Sequence, residues 1–304
     1  MRKVLLAWEI GEAYGHVSRF QPIAAELIKR NADVSLAVRD LSRVADIFRE
    51  LPVQLWQAPS KNSRIRNPKV TIQTFPHLLH NSGFESPAEL FSMVNAWRSI
   101  FDFVKPDVVV CDLAPVALLA AQLLGIKTAQ IGTGFCCPPA ISPLPALYAH
   151  QANSGNLHEE ETLIDNTISI VAKKINSSKI CSYVDLLRNT NKTILATYPE
   201  LDHYPSRSES DYRGVWFPEG EYCEHFTNHG SKKVFVYLKG VPGTLELLKL
   251  LDCWELDTLA FIDRFDQANN LAFKNVKLAE SRVDLSIVTQ HADLAITHGG
   301  HGVS

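Results

Sequence analysis

The stretch LLAWEIGEAYGHVSRFQP, Leu5 to Pro22, starts as a continuous apolar run, breaks at a loop bounded by Gly11 and Gly15, and resumes at helical spacing. A buried strand, a tight glycine loop and an amphipathic helix make up the opening unit of an α/β sheet. Downstream, β-branched apolar runs recur at Asp33–Val38, Val53–Ala58, Asp107–Cys111, Lys127–Ile131 and Lys192–Thr197, after the first at Lys3–Trp8. Between the first two, Phe20, Ile23, Ala24, Leu27 and Ile28 mark a helix over Val17–Arg30; APVALLAAQLLG, closed by Gly125, marks a second. Near-continuous apolar strands alternating with helices predict a parallel sheet covered on both faces, hence a doubly wound α/β domain over residues 1–204.

Residues 205–231 are polar, carry Gly and Pro, have no clear period and read as a linker. Strand-like runs return at Lys233–Leu238, Thr258–Ile262, Asn275–Leu278 and Asp293–Thr297, with a helical segment over Val241–Trp254. Residues 232–304 therefore form a second Rossmann-like unit, short of the roughly 100–200 residues such a domain needs. It closes on ADLAITHGGHGVS, a strand and a glycine turn with no helix after it. The expectation is a second domain that is incomplete and a chain that is truncated.

At 304 residues, 46% hydrophobic and 21% charged, with a net charge of −3, the chain is globular and lacks the basic bias of a nucleic-acid binder. The apolar run after the N-terminus is too short for a secretory signal, and Val108–Gly132 is interrupted by Asp112, Pro115, Gln122 and Lys127, which argues against a transmembrane segment. The six cysteines show no C-x-x-C spacing and are expected to be reduced thiols of a cytoplasmic protein.

Ligands of open α/β sheets bind at the carboxyl ends of the strands, where both glycine loops fall. The G-x-x-x-G-H spacing departs from the G-x-G-x-x-G of a dinucleotide site, leaving only Asp40, at the end of the second strand, to imitate the ribose-binding acid. His16 either packs the turn or serves chemistry. Asp112 ends the DVVVCD run, and a 3-2-1-4-5 strand order sets the first and fourth strands side by side. There Asp112 either orients His16 as a general base or caps the helix that follows. In THGGHG, His298 and His301 are too few for a metal site, and the glycines suit a phosphate better.

Together, the G-x-x-x-G-H loop, CDLAP (111–115), IGTGFCCPP (131–139) and ADLAITHGGHG (292–302) resemble family 1-like nucleotide-sugar glycosyltransferases, the macrolide-type and UDP-glucosyl/glucuronosyltransferase group, across essentially the whole chain. The resemblance implies the glycosyltransferase-B fold: two facing doubly wound domains, the first for the acceptor and the second for the nucleotide sugar. It implies His16 as base with Asp112 as its partner, and His298, Gly299, Gly300, His301 and Gly302 as the donor-diphosphate loop. Gly15, Arg19, Thr133, Gly134 and Phe135 fall on the acceptor side, and the segment Leu157–Arg188, read as helical and facing the cleft, shapes the acceptor pocket.

The implied reaction moves a sugar from a nucleotide-diphosphate donor to the hydroxyl of a small-molecule, lipid or saccharide acceptor, with inversion and with neither metal nor cofactor; no D-x-D triplet occurs. Members of the family continue past the glycine loop, so the activity of this chain is expected to be impaired or completed by another polypeptide. A noncatalytic acceptor-binding subunit and a same-fold nucleotide-sugar epimerase are the alternatives.

Overall fold

A computed structural model describes residues 1–11, 14–44, 47–148, 157–177, 180–204, 207, 211–216, 226, 232–263, 265, 272–279 and 283–300. Two compact units divide the chain, Met1–Trp216 and Phe217–Ser304. The first is built on a six-stranded sheet: β1 (Lys3–Trp8), β2 (Asp33–Val38), β3 (Gln54–Gln57), β4 (Val108–Asp112), β5 (Lys127–Gly132) and β6 (Lys192–Leu195), in the order β3-β2-β1-β4-β5-β6, all parallel. Alternate residues of β1 feed opposite faces. Leu5 and Ala7 join one hydrophobic cluster, while Val4, Leu6 and Trp8 join the other, which is why a strand buried on both sides reads as an unbroken apolar run.

Helix α1 (Tyr14–Lys29) covers the second face with Val17, Phe20 and Ala24. The first face carries α2 (Phe75–Leu79), α3 (Pro87–Val104), α4 (Pro115–Leu123), α5 (Leu157–Lys174) and α6 (Tyr183–Asn189). Helix α3, absent from the sequence expectations, carries its signals locally. Ser86 caps the helix by accepting from the Glu89 amide, Pro87 stands in the first turn, and Leu90, Met93, Val94, Trp97, Phe101 and Val104 form the buried stripe. The segment 157–188 is two helices, not one: α5 ends before Asn176, which holds a left-handed φ of 58°, and a capping box at Ser182 and Asp185 restarts the chain as α6. Of the expected linker, Asp211–Trp216 runs along the first unit: Tyr212 bridges Leu195 and Trp216 packs on the α1 face.

The second unit has β7 (Lys233–Lys239), β8 (Asp257–Asp263), β9 (Val276–Leu278) and β10 (Leu294–Thr297), parallel in the order β10-β7-β8-β9. Helix α7 (Thr244–Cys253) buries Leu248 and Leu251 against Val234, Val236 and Ala260. Helix α8 (Leu285–His291) precedes β10, and Val288 packs with Phe235 and Leu259 on the opposite face. Among the described residues, no helix is long and apolar enough to cross a membrane.

Candidate active site

The register of the first sheet makes β1 and β4 end level, Trp8 lying opposite Asp112. The chain leaves β1 through Ile10 and Gly11, whose φ of 98° suits glycine, and α1 then carries His16 back over the strand ends. His16 Nδ1 meets Asp112 Oδ1 at 2.9 Å, and its ring stacks on Trp8 with centroids 5.6 Å apart. An ionised Asp112 only accepts, so the proton of this hydrogen bond is on Nδ1. Nε2 lies where a side chain on Gly11 would stand.

Asp112 is fully buried. Burial by itself would raise its pKa, but the charges of Arg19 and His16 and their hydrogen bonds outweigh that and hold the carboxyl below its ordinary value. Arg19 donates from Nη1 to Asp112 Oδ2. The sequence reading set Arg19 on the acceptor side; its guanidinium is bound to this carboxylate.

The helix cap is also reassigned. Asp112 does not cap α4. Glu9, at the end of β1, does: Val116 N–H donates to its Oε2 at 2.9 Å and Ala117 N–H to its Oε1 at 2.7 Å. Burial pushes the Glu9 carboxyl up to about 8, against the pull of those two amides. Asp40 likewise caps its own turn, its Oδ1 accepting from the Ser42 amide at 3.0 Å and from the Ser42 hydroxyl.

The turn after β5 closes the site on the far side of Asp112. A Cβ on Gly132 would lie 3.4 Å from Asp112 Oδ1, so the strand approaches the carboxylate through glycine. Thr133 and Gly134 follow in a short turn stapled from behind. Arg207 donates to Asp202 Oδ2 from Nε at 2.8 Å and to the Cys137 carbonyl from Nη2 at 2.7 Å. Phe135 meets His203 edge-on at 5.6 Å. Of the other acceptor-side residues, Gly15 is exposed in the first turn of α1. Cys136 brings its sulfur within 4.8 Å of the donor atoms of His16 and Asp112. Burial first, then Asp112, push that thiol up to about 12, and Arg19 already occupies the carboxylate, so this cluster has the chemistry of an ion-paired dyad more than of a cation cage.

A cavity of about 820 Å³ opens at the carboxyl ends of β1, β2 and β3, lined by Glu9 and Ile10 after β1, Arg39 after β2 and the chain after β3. Its other walls include Met93 and Ile100 of α3 and Val116 of α4. Lys61 on its edge is ion-paired with Glu85, at 3.0 Å, and with Glu89. Neither Glu9 nor α3 was picked out from the sequence; the signal was an acid closing an otherwise apolar strand. Ile10 and Gly11 are consecutive, so one loop serves both the cavity and the histidine.

In the second unit, His298 follows β10. Its amide donates to the Tyr237 carbonyl at 3.1 Å, and its Nδ1 lies 3.2 Å from the same oxygen. Gly299 takes a φ of 66° and donates to Thr297 Oγ1 at 3.3 Å, and a Cβ on Gly300 would lie 2.5 Å from His298 Nε2. His301 and Gly302 lie outside the described residues.

No protein-family model and no curated protein matches the sequence. Solved structures do. CalG4, the calicheamicin glycosyltransferase, superposes with a TM-score of 0.65 at 17% identity, over 99% of this chain and 76% of that one. SnogD, a glycosyltransferase from Streptomyces nogalater, gives 0.61 at 15% identity over 99% and 77%. The spinosyn rhamnosyltransferase SpnG gives 0.61 at 13% over 100% and 76%. The chain has the glycosyltransferase-B fold. In this glycosyltransferase fold the histidine dyad belongs to the first unit and the glycine turn to the second.

Proposed function

We propose that the protein transfers a sugar from a nucleotide-diphosphate donor to an acceptor hydroxyl, inverting the anomeric centre. The observation that carries this reading is the His16–Asp112 pair, with Nδ1 bound to the buried carboxylate and Nε2, without a hydrogen-bond partner among the described residues, facing Gly11. The acceptor hydroxyl gives its proton to His16 Nε2 as its oxygen bonds to the anomeric carbon. The bond from that carbon to the diphosphate oxygen breaks, and the electron pair leaves with the nucleoside diphosphate. Asp112 keeps the imidazole in the required tautomer and stabilises the imidazolium that forms. The acceptor occupies the cavity beside Glu9 and Ile10, and the Thr297–Gly300 turn with the residues after it takes the diphosphate through backbone amides, with no metal. SpnG, which shares the fold, has been solved with spinosyn aglycone and with thymidine diphosphate. Work in the cytoplasm fits the described cysteines, which are all free thiols.

The test is calorimetric titration of the protein with UDP, dTDP and GDP, followed by product analysis with the matching sugar and a panel of aglycones and saccharides. Saturable binding of one nucleotide and a glycoside of inverted configuration support the reading. A folded protein that binds none of them overturns the donor half, and release of an altered nucleotide sugar without acceptor consumption replaces transfer with epimerisation.

A further inference from the structure

Arg19 is not explained by the dyad alone. Its side chain is 11% exposed and its guanidinium sits on the oxygen of Asp112 that His16 does not use. The carboxylate thus has one oxygen for the imidazole and one for the guanidinium, on residues three apart on α1. The groups facing the pair come from every element around it. Asp112 and Cys111 are on β4, Cys136 and Cys137 are in the turn after β5, and the uncharged Trp8 ring lies under His16. Burial raises all three thiols well above neutrality, so they stay uncharged. Among the described groups, the charges left beside the imidazole are one anion and one cation.

That balance matters for a base. A lone buried carboxylate at hydrogen-bond distance draws a proton onto an imidazole, and an imidazolium accepts no proton from a substrate. A guanidinium on the same carboxylate cancels most of that pull while leaving the hydrogen bond, and hence the tautomer, in place. It also fixes the carboxylate rotamer, because a planar donor on one oxygen sets where the other one points.

We propose that Arg19 is the positioning residue of this dyad: it holds the second oxygen of Asp112 and offsets its charge, so that His16 rests as a neutral, correctly oriented base. This rests on His16 being the base, and it deepens that reading by giving the site a built-in charge balance.

The test reads the imidazole without using turnover. Diethyl pyrocarbonate attacks only neutral histidine, and labelling of the His16 peptide is followed by mass spectrometry from pH 5 to 9. Arg19→Met should slow His16 labelling about tenfold at pH 7 and recover by pH 9, the scale expected for removing one charge at this range. Arg19→Lys, which keeps the charge, should return the pH 7 rate to within about threefold of wild type. Equal rates at every pH in wild type and Arg19→Met, or equal losses in Met and Lys, overturn the proposal. If Arg19→Met does not fold, Arg19→Gln, which keeps a planar amide donor for Asp112 without the charge, takes its place: slowed labelling at pH 7 supports the charge balance, and a rate equal to wild type at every pH overturns it. Labelling that follows these expectations while His16→Ala still turns over removes the base reading and leaves the charge balance standing. Unchanged labelling with an inactive His16→Ala does the reverse.

Discussion

Gly11 stands directly against His16: a Cβ built on the glycine would lie 2.6 Å from Nε2 and 3.1 Å from Cδ2 of the imidazole. The nitrogen that is free of Asp112 therefore has room because this position lacks a side chain. Gly11→Ala should displace the ring and also force an alanine to φ 98°, at a strain of about 1–3 kcal/mol. Turnover should fall at least about a hundredfold, since even a 1 Å misplacement carries such a loss, while urea unfolding shows a modest decrease. Undiminished turnover in a folded Gly11→Ala protein would place the chemistry elsewhere.

His16→Ala should lower kcat by about 10²–10⁴, the usual contribution of a positioned base. Nucleotide affinity, measured by calorimetry, should hold, because the glycine turn belongs to the second unit. Parallel loss of nucleotide binding would instead point to a structural histidine.

Glu9 links pH to stability. Its carboxyl holds a proton up to about pH 8 in the folded protein, against an ordinary value of 4.5 once unfolded. Through that window the unfolded chain binds fewer protons than the native one, so stability is full below about 4.5 and falls as pH rises toward 8. The loss is on the order of a few kcal/mol at most. Glu9→Gln cannot ionise, and its urea midpoints at pH 5 and pH 8 should differ less than those of wild type. An unchanged difference would show that Glu9 is already ionised in the fold, held by the α4 amides.

Gly134 is boxed in by Asp202. A Cβ there would sit 1.8 Å from Asp202 Oδ1 and 2.9 Å from the His203 backbone nitrogen. Asp202 cannot simply rotate away, because Arg207 and the Tyr212 hydroxyl hold it at 2.8 Å and 2.6 Å. Gly134→Ala should cost about 1–3 kcal/mol, seen as a lowered unfolding temperature by calorimetry. Gly15→Ala, with no atom within 4 Å of the added carbon, should change stability by less than about 1 kcal/mol. Equal behaviour of the two variants would mean that the turn after β5 is free to move.

The sequence by itself determined the alternation of strands and helices, the two α/β units, and the adjacency that brings His16 to Asp112. These follow from local apolar period and from the sterics that lay successive strands out in this order. The 3-2-1-4-5 order and the level ends of β1 and β4 carry the rest of that inference. Helix α3 was equally legible, with its Ser86-Pro87 start and its apolar stripe at helical spacing. What only the tertiary structure decided is which acid does what. Glu9, not Asp112, caps α4, across 107 positions of sequence, and Arg19 binds Asp112 across 93. Asp40 serves its own turn. A carboxylate takes whichever buried donor the strand register sets within hydrogen-bond reach, and at such separations that choice leaves no period or spacing in the chain.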